Sequence, residues 1–211
     1  MELKVYRSDS ATAALVVGHG AGAGQNSPFM VRTAEGLAAR GVAAATFDFP
    51  YMTARKSVPD RPPVLEQAWR DAIARARTEL SGLPLFIGGK SMGGRISSQV
   101  ASQSVEGVSG LVFLGYPLHP PGKPEQRRDA HLPAIAQPML FVQGSRDPFG
   151  TADEIRALLP ALQLATLHEI PNGDHSFKVS GRGAPKPDQV LNEILDMVKS
   201  WMFERVQTTA N

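Results

Sequence analysis

Six short apolar runs, each bounded by turn residues, recur along the chain: Ala13 to Val17, Val42 to Phe49, Leu85 to Ile87, Leu111 to Leu114, Met139 to Val142 and Leu164 to Ile170. Runs this short, apolar at consecutive positions, predict strands buried on both faces. Stretches of helical spacing separate them. An order of strand, helix, strand implies right-handed crossovers and a mostly parallel central sheet with helices on both faces, the α/β class.

The helices carry readable end signals. Ser27-Pro28 offers an N-cap and a first-turn proline, and Met30, Ala34, Leu37 and Ala38 continue an apolar face that Gly41 can close, so a helix is predicted near 28 to 40. Leu65, Ala68, Trp69, Ala72, Ile73, Ala76 and Leu80 form one stripe ended by Gly82. Thr151 with Glu154 fits a capping box, and Val190, Leu191, Ile194, Leu195, Val198, Trp201 and Met202 describe a helix near the C-terminal end. Aromatic residues in these stripes are read as core.

At 211 residues, 42% hydrophobic and 20% charged, the chain has the balance of one well-buried domain, expected over 1–211, rather than of a disordered segment. A net charge of +2 gives no reason to expect nucleic-acid binding. The sequence contains no cysteine, which removes disulfides, a thiolate nucleophile and Cys-ligated metal, and fits the cytoplasm. Neither the start of the chain nor any later run resembles a signal peptide or a bilayer span, so no membrane association is expected.

Three segments rich in Pro, Gly and charge, Thr53 to Pro63, Pro117 to Pro133 and Lys178 to Pro187, read as loops. Each follows a predicted strand. Loops after parallel strands gather at the carboxyl edge of the sheet, where ligands bind.

A serine hydroxyl reacts only when it is held clear of the sheet, beside a base and near donors for a developing oxyanion. Gly89-Lys90-Ser91-Met92-Gly93 lies between the run at Leu85 and a potentially helical stretch, and has the G-x-S-x-G spacing of a tight strand-to-helix turn that presents a serine. The competing reading is a glycine-rich turn with an idle serine. Gly18-His19-Gly20-Ala21-Gly22 follows a buried strand and can aim a backbone N–H at a substrate, with Met92 supplying a second, while a bland tight turn is the alternative.

An acid and then a base should follow the serine, each just beyond a strand. Asp147 within Gly144-Ser145-Arg146-Asp147 and His175 within Asn172-Gly173-Asp174-His175 meet that order, making Ser91, Asp147 and His175 the candidate catalytic residues. Asp48 is the second choice of acid. His19 is expected to brace its loop, His168 to be structural, and Lys90 to point away from substrate. Tyr51, His119 and His131 are candidates to line the pocket.

The four segments Gly18 to Gly22, Gly89 to Arg95, Gly144 to Asp147 and Gly173 to Phe177 together resemble the α/β-hydrolase superfamily, from about residue 13 to the end. Within it the chain is similar to small dienelactone-hydrolase-like members, especially predicted hydrolases related to eukaryotic testis-expressed proteins, whose further signature resembles Tyr116 to Lys123. The resemblance implies a Ser91, Asp147, His175 triad, oxyanion donors at Ala21 and Met92, an ester or acyl substrate, and no metal or organic cofactor. Dienelactone hydrolases proper use a cysteine nucleophile, so their substrate does not carry over. Bulky lids in the superfamily enter between the strands ending near Gly115 and beginning near Met139, and about 24 residues there leave room for little or no lid.

Three rival functions compete with this reading. A phosphate-binding loop would need a glycine at position 84, which is Pro84. The dinucleotide fingerprint can be laid over Gly18 to Ala23, yet Asp48 follows Gly18 by 30 residues, beyond the roughly 20 that such an oxidoreductase uses. The third is a catalytically silent hydrolase scaffold for protein interaction.

Overall fold

The structure is a computed structural model that describes residues 2–209; residues 1, 210 and 211 of the expected 1–211 domain lie outside it. Seven strands form one sheet: β1 (Lys4–Tyr6), β2 (Ala13–Gly18), β3 (Val42–Phe47), β4 (Leu85–Lys90), β5 (Gly110–Leu114), β6 (Met139–Gly144) and β7 (Ala165–Ile170). Their order is β1-β3-β2-β4-β5-β6-β7. Only β1 runs antiparallel, pairing Lys4 with Thr46 and Tyr6 with Ala44 of β3.

Alternation along each strand divides the core. In β2, Ala14 and Val16 enter one apolar cluster while Ala13, Leu15 and Val17 enter the other. The first cluster is covered by α3 (Pro62–Glu79), α4 (Met92–Ala101) and α5 (Ala152–Arg156), through Trp69, Ile73, Ile96, Val100 and Ile155. The second is covered by α1 (Pro28–Ala38) and α6 (Pro187–Thr209), through Met30, Leu37, Ile194, Val198 and Trp201. Helices on both faces are what two-sided burial of parallel strands requires.

Several local expectations need correcting. Strand pairing stops at Phe47; Phe49 instead caps the short helix α2 (Pro50–Thr53). Ser27 occupies the N-cap of α1 but makes no side-chain capping bond. β4 runs three residues further than its apolar stretch, because Gly88 lets the backbones of β4 and β5 close up; a Cβ there would lie 1.8 Å from Val112 O. The capping box at the start of α5 forms as expected, with Thr151 and Glu154 bonding reciprocally. Among the described residues no helix is long and apolar enough to cross a membrane.

After β2 the chain passes through α1 to β3 on one side, then returns through α3 to β4 on the other. The carboxyl ends of β2 and β4 therefore flank the topological switch point, the usual place for a ligand in an open parallel sheet.

Candidate active site

Ser91 stands where β4 ends and α4 begins, with φ 50° and ψ −115°. A non-glycine residue in this region stores roughly 1–3 kcal/mol of strain, and persists only where its surroundings leave no alternative. Here they leave none. A Cβ on Gly89 or on Gly93 would sit 2.2 Å from Gly18 O, so the turn fits against β2 only with hydrogen at both positions. The buried indole of Trp69 fixes the far side, donating through Nε1 to Gly93 O at 3.1 Å.

The structure brings the three spaced residues into one chain of hydrogen bonds. His175 Nε2 lies 2.8 Å from Ser91 Oγ, and its Nδ1 lies 2.7 Å from Asp147 Oδ2. With a carboxylate facing Nδ1, that nitrogen carries the proton and donates, which leaves Nε2 as the acceptor for the serine hydroxyl. The Asp147 side chain is fully buried, while 19% of the His175 side chain remains exposed. Such a carboxylate needs further donors: Phe149 N–H reaches Oδ1 at 2.8 Å and Gln143 Nε2 reaches Oδ2 at 3.0 Å.

The turn carrying His175 is organised by Asp174, whose Oδ1 accepts from the N–H groups of Ser176 at 2.8 Å and Lys178 at 2.9 Å. Phe149 lies against the imidazole face with ring centroids 4.2 Å apart. Behind the turn, Lys90 Nζ donates to His175 O at 2.5 Å. Lys90 thus points away from the serine, and burial lowers its pKa to about 8.

The loop after β2 reaches the same point. A Cβ on Gly20 would lie 3.7 Å from Ser91 Cβ, so the loop passes directly beside the serine. No acceptor among the described residues takes the N–H of Ala21 or of Met92. His19 Nδ1 donates to Gly20 O at 2.7 Å while its Nε2 accepts from Phe49 N–H at 3.2 Å. Burial lowers the pKa of His19 and so favours the neutral ring that this pairing needs.

The remaining candidates fall into supporting positions. Tyr51 is fully buried, and its hydroxyl accepts from Gly22 N–H at 3.0 Å, holding the loop rather than presenting itself to a cleft. His119 is also buried, with Nδ1 on Pro120 O at 2.9 Å and Nε2 on Glu154 Oε1 at 3.0 Å. Half-buried His131 bonds Ser98 Oγ through Nε2 at 2.7 Å. Asp48 accepts from Gln25 N–H at 2.7 Å and lies 3.6 Å from His19, while the carboxylate on His175 is that of Asp147. His168 stays within β7 and meets Glu193 at 3.2 Å.

Two neighbours escaped sequence reasoning. Gln143 is the polar residue in the apolar β6, fully buried, and binds Gly150 O at 2.5 Å as well as Asp147. A buried glutamine in a strand is itself a signal, because it must find partners. Phe149, two residues beyond Asp147, carries no such mark. A groove of about 660 Å³ lies between α2 and α3 and is lined by Pro50, Thr53, Val64, Gln67 and Ala68 with Asp48 at its edge.

Solved structures share this architecture across nearly the whole chain. Ferulic-acid-bound Est1E from Butyrivibrio proteoclasticus superposes with a TM-score of 0.76 at 15% identity, covering 98% of this chain and 95% of that one. Dienelactone hydrolase from Anabaena variabilis gives 0.75 at 22% identity, covering 96% and 90%. An alpha-beta serine hydrolase homologue from Coxiella burnetii gives 0.72 at 17% identity, covering 94% and 89%. The family model described as the alpha/beta hydrolase domain matches residues 11–203, and the chain accordingly belongs to the alpha/beta-hydrolase family and is a hydrolase.

Proposed function

We propose that this hydrolase cleaves carboxylic esters or related acyl compounds through a Ser91-His175-Asp147 triad and an acyl-enzyme intermediate, with 1–211 acting as one domain. The observation that carries the reading is the unbroken bond chain from Ser91 Oγ to Asp147, beginning at a residue held in a strained conformation. Catalytic geometry of this kind is recognised by distances and roles rather than by position in the chain.

In the first half of the reaction Ser91 Oγ attacks the acyl carbon as its proton passes to His175 Nε2. The carbonyl oxygen, now negative, is held by the N–H groups of Ala21 and Met92. Met92 is the first residue of α4, so its N–H belongs to the positive end of the helix and favours an anion. The alcohol departs with the proton from His175. A water then gives its proton to the same nitrogen and attacks the acyl group, releasing the acid and restoring Ser91. Asp147 orients the imidazole and stabilises its charged form throughout.

With little or no lid, the cleft suits small or exposed acyl groups, and the names of the compared proteins fit a small-molecule ester substrate. The lack of cysteine accords with action in the cytoplasm. A fluorophosphonate probe tests the assignment. Native protein should label covalently at Ser91, and Ser91→Ala should neither label nor hydrolyse short p-nitrophenyl esters. An unlabelled native protein would mean a silent scaffold.

A further inference from the structure

We propose that Lys90 is a positioning residue for this hydrolysis: it ties the turn bearing His175 to the strand end bearing Ser91, and so sets the spacing between base and nucleophile. The inference rests on the roles given to those two residues above. Lys90 and Ser91 are adjacent at the end of β4, and adjacent side chains there leave on opposite sides. Ser91 Oγ goes to the imidazole of His175, while Lys90 Nζ goes round behind it to the carbonyl of the same residue at 2.5 Å. The base is therefore gripped from two consecutive positions, once by its ring and once by its backbone.

The grip is specific in geometry. Within the turn, Asp174 N–H bonds Lys178 O and Phe177 N–H bonds Asp174 O, leaving His175 O to Lys90. Nζ also lies 5.2 Å from the centre of the Phe177 ring, where a cation is attracted to the face. Gly115 closes the space beneath; a Cβ there would come within 2.9 Å of Nζ. Phe177 has φ 61°, so the turn leaves the base through a conformation that only external contacts hold in place.

The ammonium meets a carbonyl and a ring face, and the carboxylates of Asp147 and Asp174 act on it through space. Of the other titratable groups on neighbouring elements, His19 turns to Gly20 O and Phe49 N–H, and Tyr116 donates its hydroxyl to Arg128 O. Desolvation outweighs the two carboxylates and lowers the Lys90 pKa from 10.5 to about 8. Below that pH the bond to His175 O is charge-assisted; above it a neutral amine donates more weakly and the attraction to Phe177 is lost.

Activity and stability then respond to pH in opposite directions. Between about 8 and 10.5 the unfolded chain holds the Lys90 proton and the folded one does not, so this group's contribution to stability rises with pH. A loss of reactivity over the same window reports a loosened base, not an unfolding protein.

The test follows the rate of fluorophosphonate labelling of the full chain from about pH 6 to about pH 10, with thermal unfolding at each pH. Wild type should slow as the pH rises past about 8, matching the Lys90 pKa. Lys90→Met should label about ten- to a hundredfold more slowly at neutral pH, the loss that displacement of a catalytic group brings, with its alkaline decline gone and its melting temperature not reduced. Lys90→Arg keeps a permanent cation and should carry the plateau past about pH 9. Labelling of Lys90→Met at the wild-type rate, or an alkaline decline in Lys90→Arg at the wild-type midpoint, overturns the proposal while leaving Ser91 as nucleophile. Should Lys90→Met fail to fold, the arginine profile decides alone. Absence of labelling in wild type would overturn the triad and the clamp together.

Discussion

The turn at Ser91 and the loops that surround it are built on different principles. At the turn, backbone meets backbone: Gly18 O is wedged against the two positions where Gly89 and Gly93 carry only hydrogen, and the serine between them has one conformation open to it. The rim is built from side chains that face water. Lys123 and Arg127 of the 117–133 loop and Lys178 beyond His175 are all exposed, and Arg127 pairs with Asp129 beside it rather than with anything in the core. The contrast teaches which part of the molecule is held by backbone contact and which by solvated side chains. Steric fit between main chains fixes the conformation of Ser91, whereas the charges of the rim stay in water.

The comparison can be broken first at the buried acid. Asp147→Asn keeps the shape but lets the imidazole adopt the wrong tautomer, and the expected fall in kcat is about 10⁴-fold, or about 5 kcal/mol. Burst and steady-state kinetics on a short p-nitrophenyl ester measure it; full activity would show that the fixed interior is not where catalysis is set. Next comes Gly93→Ala. Its Cβ would lie 2.2 Å from Gly18 O, so the variant should lose about 3 kcal/mol or more in urea unfolding, at the upper end of what overpacking costs. A stable, active alanine variant would mean that the turn has more freedom than its contacts allow.

The smallest effect belongs to the rim. A Lys123→Gln, Lys178→Gln pair should shift stability by under about 0.5 kcal/mol and leave hydrolysis of neutral short esters almost unchanged. Its kcat/KM for an ester with an anionic acyl group should fall, and should lose the salt dependence that wild type displays. Equal losses for neutral and anionic esters would erase the distinction between rim and interior.

How much of this was legible beforehand follows the same division. Strands buried on both faces declare themselves as apolar runs, and β2, β5 and β6 appear where those runs lie. The three-residue β1 does not, because a short strand at the sheet edge with exposed Lys4 has neither length nor alternation to mark it. Ser91, Asp147 and His175 could be picked out by their order after strands, since a parallel sheet collects strand ends on one edge whatever lies between them. The contacts of Tyr51, His119 and His131 could not. Each bonds a partner 29 to 35 residues away in sequence, and nothing local announces such a partner.

Glu154 closes the capping box with Thr151 through one oxygen and holds His119 through the other. One carboxylate thereby moors the base of the 117–133 loop to the helix that starts just past Asp147. A redesign that swaps this loop would cut the mooring and disturb the segment that carries Asp147 along with it. The 117–133 loop is not a modular part, and a grafted loop must bring its own anchor to Glu154 or leave the segment after Asp147 less firmly held.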